Sequence, residues 1–169
     1  MELRLQRMFQ HQIQIQCEFA LESARGVDSA LSVRPLNLMA VFYGIQNLLN
    51  ASANIRKSLW GSTKEVSAER KSLRDSLQAG EHSVLFARTT VRNHNEHFDE
   101  RIDRWWLESA DKSSIDMIIC PRNAVRGFKE TDCFRWYDPI TGDVMFWGDA
   151  FNLPRLVDEI KRLHPIAAE

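Results

Sequence analysis

Glycine is scarce and scattered. The 169-residue chain holds seven, arranged in neither GxGxxG nor GxxxxGK[ST], so no Gly-rich loop cradles a nucleotide's phosphates here. Cysteine is scarcer still. Cys17, Cys120 and Cys133 are odd in number, widely spaced and without a CxxC pair, which excludes a disulfide framework and points to free thiols. No apolar run approaches the ~20 residues that span a bilayer. Glu2, Arg4, Gln6 and Arg7 interrupt any apolar stretch at the N-terminus, so a signal peptide is not expected and the expected location is cytoplasmic. Charge of one sign is not in excess either. Twenty-two Lys and Arg face 23 Asp and Glu, a net charge of −1, which excludes a globally basic nucleic-acid coat but leaves room for a local basic pocket. Internal repeats and low-complexity segments are absent.

What is present suits a globule with a real core: 44% hydrophobic and 27% charged residues, at a length for one domain plus a small appendage. Residues 3–25 read as an amphipathic helix with Gly26 as its C-cap. A second helix is expected from Pro35, suited to a first turn, to Trp60, with Gly61 ending it. Ser62-Thr63-Lys64-Glu65 reads as a capping box opening a third helix to about Gln78, whose surface carries Lys64, Arg70, Lys71 and Arg74. Gly80 breaks the chain before a long helix, Ser83 to Leu107, with apolar or small residues at Val84, Ala87, Val91, Phe98, Ile102 and Trp105. Four helices with short joints imply an up-and-down bundle over residues 1–110.

The character changes after Ser109. Residues 114–120 read as a strand stopped by Pro121, and 132–138 and 143–147 as a hairpin around Pro139-Ile140-Thr141-Gly142. Asn152 is a candidate N-cap for a last helix, Leu153 to His164. The expected fold is mainly α: a four-helix bundle with a strand, hairpin and helix appendage over residues 111–169 packed on it.

One stretch is too dense in polar groups for a plain solvent face: Arg92-Asn93-His94-Asn95-Glu96-His97. It resembles the R-x4-6-H signature of the HEPN superfamily, with Asn directly after Arg, late in a multi-helix region; the resemblance covers about residues 1–110. HEPN members are small helical bundles, and many are metal-independent endoribonucleases acting as dimers with composite sites. The resemblance implies His97 as the catalytic histidine and Arg92 as the phosphate-binding cation. Asn93 would orient His97, its i,i+4 neighbour, with Glu96 and His94 auxiliary. It also implies an RNA substrate, a homodimer, a toxin or defence setting with an antitoxin protein as partner, and no cofactor; DNA and membrane are not expected partners.

The residue types fit that chemistry. RNA carries its own nucleophile, the ribose 2′-OH. An imidazole suits the proton steps and a guanidinium the phosphate. On a straight helix Arg92 and His97 stand about 140° apart, which a kink or a two-fold dimer reconciles. Structural readings stand beside the functional one. Arg92 and Glu96 are also i,i+4 partners in a surface ion-pair ladder, and His94 sits at the edge of the apolar stripe. His97 and Arg101 could both be solvated. His94-x-x-His97 with Asp99 fails the Glu-x-x-His pattern of a di-iron bundle, so no metal is expected. Cys120 and Cys133 read as buried thiols. Trp105, Trp106, Trp136 and Trp147 read as core where bundle meets hairpin, with base stacking as the functional alternative. The basic third helix reads as a solvated face or a guide for RNA. The two functional classes are thus a HEPN-type endoribonuclease and a non-catalytic HEPN-like binding or interaction module.

Overall fold

A computed structural model describes residues 1–86, 97–127 and 129–168. The chain is mainly helical with a small sheet near its C-terminus. Helix α1 spans Leu3–Ser32, α2 Leu38–Trp60, α3 Lys64–Glu69, α4 Lys71–Ser76, α5 Phe98–Glu108 and α6 Leu153–Ala167. Four strands, β1 Ile118–Ile119, β2 Trp136–Tyr137, β3 Asp143–Phe146 and β4 Asp149–Asn152, form one sheet in sequence order. Among the described residues no helix is long and apolar enough to cross a membrane.

Three long helices make the core. Ile13, Cys17 and Ala20 of α1, Ile45, Leu48 and Ile55 of α2, and Leu156, Ile160 and Leu163 of α6 join one buried cluster. Tertiary packing explains where α1 departs from expectation. Gly26 does not cap it; the helix runs on to Ser32 because Val27 is buried against α2. The two helices approach closely at Gly44, where a Cβ would meet Val27 Cγ2 at 2.7 Å and the Ser23 carbonyl oxygen at 3.3 Å. Pro35 is likewise not in the first turn of α2. It follows a cis peptide bond, and Asn37 caps the helix by accepting from the Ala40 amide at 3.0 Å. Gly61 ends α2 as expected, at φ 66°.

The expected third helix divides at Arg70, and Thr63, not Ser62, is its cap, accepting from the Val66 amide at 3.3 Å. Of its basic residues, Lys64 and Lys71 are exposed as a solvated face requires, but Arg70 and Arg74 turn inward. Arg70 donates to the Ser58 carbonyl at 3.0 Å and also to that of Lys57, and stands over the Phe9 ring at 4.4 Å. Arg74 donates to the carbonyls of Leu59 at 2.9 Å and Ser67 at 2.7 Å. Both guanidiniums bind carbonyls at the end of α2: those of Ser58 and Leu59 lie in its last turn, and that of Lys57 also accepts the Gly61 amide at 2.9 Å.

In the sheet, β1 and β2 are parallel, pairing Ile118 with Trp136; β2 and β3 are antiparallel, pairing Trp136 with Met145. The strand expected over 114–120 is reduced to Ile118–Ile119 and an isolated bridge from Ile115 to Cys133. Asp138 fixes the β2–β3 turn: its buried carboxylate accepts from the amides of Arg122 at 2.9 Å, Ile140 at 2.8 Å and Thr141 at 3.4 Å. Strand β4 was not expected. It follows a two-residue turn, Trp147-Gly148, with φ 49° and 86°; positive φ at both positions matches the twist of a tight hairpin. Asn152 caps α6 as expected, accepting from the Arg155 amide at 3.0 Å, and that helix continues past His164 to Ala167.

Candidate functional site

Of the motif, Arg92, Asn93, His94 and Glu96 lie outside the described residues, and His97 lies within them. Residues 81–86 form turns, not the start of a long helix. The Ser83 hydroxyl donates to Glu159 Oε1 at 2.6 Å, Arg56 Nε donates to the Phe86 carbonyl at 3.3 Å, and the Phe86 ring lies 5.4 Å from that of Trp60. Burial pushes the Glu159 carboxyl up, but hydrogen bonds from Arg162 and Ser83 and the Arg162 charge outweigh it and hold the group below its ordinary range.

His97 is the N-cap of α5, with φ −110° and ψ 41°. The helix expected from Ser83 to Leu107 does not start at Ser83, where residues 81–86 form turns; positions 87–96 of that expectation lie outside the described residues, and a helix begins at Phe98. The backbone at His97 is not helical, and the expected 140° separation from Arg92 lies outside the described residues. The imidazole is 55% exposed, and its Nδ1 lies 3.2 Å from Glu100 Oε1. A carboxylate accepting from Nδ1–H leaves Nε2 with its lone pair free for a proton.

Aromatic contacts seat α5, which has no buried residue of its own. Phe98 meets the Phe134 ring edge-on at 6.0 Å and the Trp147 ring at 5.2 Å, and the Arg135 guanidinium lies 5.1 Å from its centroid. Trp105 stands nearly perpendicular to Phe134 at 5.2 Å, and its indole N–H donates to Asp132 Oδ1 at 2.8 Å. The expected tryptophan core is only partly found. Trp136 is buried with Cys133 and Met145, but Trp106 is 57% exposed.

Beside these aromatics an open cleft of about 360 Å³ runs along α5. Arg101, Arg104, Trp105, Glu108 and Ser109 form one wall, with Lys129, Thr131, Asp132 and Trp147 opposite. Its volume falls within the roughly 300–1,000 Å³ of small-ligand sites. At ~100° per residue, positions 101, 104 and 108 fall within about 60° of one another on the cleft-facing side of α5, and His97 immediately precedes that helix. Asp99 and Asp103 fall on the far side of the helix. The acidity of α5 is thus segregated: the cleft gathers three cations against two carboxylates. The Arg101 Nε is buried, with no hydrogen-bond partner among the described residues.

The sequence reads Arg101, like His97, as a residue that could be solvated, and gives no role to Arg104. Their i,i+4 and i,i+7 spacing from His97 was the available signal. Lys129, Thr131 and Asp132 arrive from a distant loop and left none. The cysteines are poorly suited to nucleophilic chemistry. Burial pushes the Cys17 and Cys133 thiols up to about 12 and raises Cys120 as well, which disfavours the nucleophilic thiolate. Among the described residues no group of three His, Cys, Asp or Glu side chains is placed to hold a metal ion. Compared with protein-family models, with curated proteins and with solved structures, the chain matches none.

Proposed function

We propose that this chain is a metal-independent endoribonuclease of HEPN type, a four-helix bundle elaborated by the C-terminal sheet and helix and acting as a homodimer. His97 takes the 2′-OH proton through Nε2, and Glu100 orients the ring through Nδ1. Arg92 holds the scissile phosphate, Asn93 positions His97, and Glu96 and His94 are auxiliary. Attack of the 2′-oxygen on phosphorus expels the 5′-oxygen of the next nucleotide and leaves a 2′,3′-cyclic phosphate. The observation that carries this reading is the exposed His97, buttressed by Glu100, at the end of a helix face whose next turns line a cation-bearing cleft. Such a face suits a phosphodiester chain. A toxin or defence role, with an antitoxin protein as partner, belongs to the same proposal and rests on the Arg92–His97 motif alone.

The test is incubation of purified protein with RNA in EDTA. Cleavage to 2′,3′-cyclic phosphate ends, lost in Arg92→Ala and His97→Ala variants that keep the wild-type circular dichroism, is the expected result. Full activity in both folded variants would remove the site. A second reading, a non-catalytic interaction module, draws on the exposure of Phe19, Met39 and Tyr43 on α1 and α2, at 57%, 66% and 70%. It predicts no cleavage, and a partner or self-association lost on replacing Tyr43 by a charged residue.

A further inference from the structure

The cleft has more in it than a phosphate needs. Arg101, Arg104 and Lys129 would suffice for an anion. Trp105 and Trp147 add aromatic surface, and Glu108, Asp132, Ser109 and Thr131 add groups that accept hydrogen bonds. Both tryptophans are held in fixed attitudes. Trp105 is locked by its bond to Asp132 and by the Phe134 edge. Trp147 occupies φ 49°, a left-handed conformation unfavourable to a large side chain, and packs against Phe98 and Phe134. A rigid aromatic platform beside cations is what an unstacked base with its phosphate requires.

We propose that this cleft binds one unpaired RNA nucleotide adjacent to the bond cut at His97. The base lies against Trp105, and its phosphate engages Arg101, Arg104 and Lys129. The carboxylates of Glu108 and Asp132 accept from base edges that donate, so guanine, which offers N1–H and an amino group, is preferred to uracil. The proposal rests on the RNA reading above and adds to it where the substrate is gripped and which bases are favoured. A double helix keeps its bases stacked, so single-stranded segments are the substrate class.

The experiment uses the full chain and a fluorescein-labelled 2′-O-methyl RNA hexamer rich in guanine, which lacks the nucleophile and cannot be cleaved. Anisotropy should report binding. Lys129→Ala and Arg104→Ala, both exposed positions that leave the fold intact, should each weaken it by about fivefold or more and flatten its salt dependence by about 0.7 in the log–log slope. Trp105→Leu should weaken it by roughly 5- to 100-fold. A uridine hexamer should bind several-fold less well, and 5′-GMP should compete at concentrations where inorganic phosphate does not. Equal affinity in Lys129→Ala, Arg104→Ala and wild type overturns the proposal. Competition by inorganic phosphate as effective as by 5′-GMP overturns the base-binding part. His97→Ala separates the two readings, since it should abolish cleavage of ordinary RNA yet bind the hexamer within about threefold of wild type. Hexamer binding that depends on the cleft, in a protein that cleaves no RNA, sinks the nuclease and leaves the cleft. Cleavage that is indifferent to Lys129, Arg104 and Trp105 does the reverse.

Discussion

Among the described residues, His97 is held by little. It is more than half exposed, it precedes its helix, and Glu100 is the partner that fixes its ring. Its replacement should therefore cost almost no stability, within about 0.5 kcal/mol by thermal melting. Loss of a proton-transfer group should cut RNA cleavage on the order of 10²- to 10⁴-fold. Glu100→Ala should lower cleavage by less, since the imidazole remains and only its tautomer and orientation are released. A large drop in melting temperature in His97→Ala would mean that the residue is structural. The thiols behave in the opposite manner. Cys17 and Cys133 are pushed from 9.0 up to about 12 by burial, so they stay protonated in the fold and ionise when it opens. Protons are lost on unfolding above pH 9, so stability is full below that value and falls as pH rises towards 12, by up to about 1.4 kcal/mol per pH unit for each thiol. Urea titrations from pH 8 to 10.5 should show the decline, and a Cys17→Ala, Cys133→Ala protein should lack most of it.

Helix α2 meets α1 at Gly44, and this contact decides a competition between two terms. Alanine in place of a mid-helix glycine gains about 1 kcal/mol of helix propensity. Here the added methyl would meet Val27 Cγ2 at 2.7 Å and the Ser23 carbonyl at 3.3 Å, and overpacking of that kind costs about 1–3 kcal/mol. Gly44→Ala should therefore destabilise, whereas Gly26→Ala, with nothing within 4 Å, should stabilise; paired denaturant melts distinguish the two. The same pair shows what was legible. Amphipathic spacing announced α1, α2 and α6, and Gly61 and Asn152 marked true ends. Gly26 misled because a glycine's local preference says nothing of the valine beside it being buried on another helix. Arg70 and Arg74 misled for a related reason: their partners, the last carbonyls of α2, lie more than ten residues away. Trp147-Gly148 concealed a hairpin because tryptophan is a poor residue for positive φ, and tertiary contacts with Phe98 and Phe134 override the preference. At the candidate site His97 could be named from its motif, while the opposite wall of the cleft comes from residues some thirty positions on.

Across the whole molecule, stability and the candidate site use different parts. The main core is built by α1 and α2 near the start of the chain and by α6 at its end, and Ser83 ties the approach to the motif to Glu159 on α6. Helix α5 contributes no buried residue and rests through its aromatic face on Phe134 and Trp147, beside the strands. Shortening a fully buried side chain of α6 should therefore act on the entire fold. Ile160→Ala removes core volume at a position with no exposure and should cost about 2–5 kcal/mol, or roughly 5–15 °C in melting temperature. Because α6 shares one core with α1 and α2, far- and near-ultraviolet circular dichroism should lose signal together in that variant, in a single transition. Lys129→Ala, on the cleft, should leave the melting curve in place while weakening RNA binding. An Ile160→Ala protein whose near-ultraviolet signal melts well before its helices would instead show that the C-terminal segment holds together apart from the helices it covers, and the partition of labour argued here would be wrong.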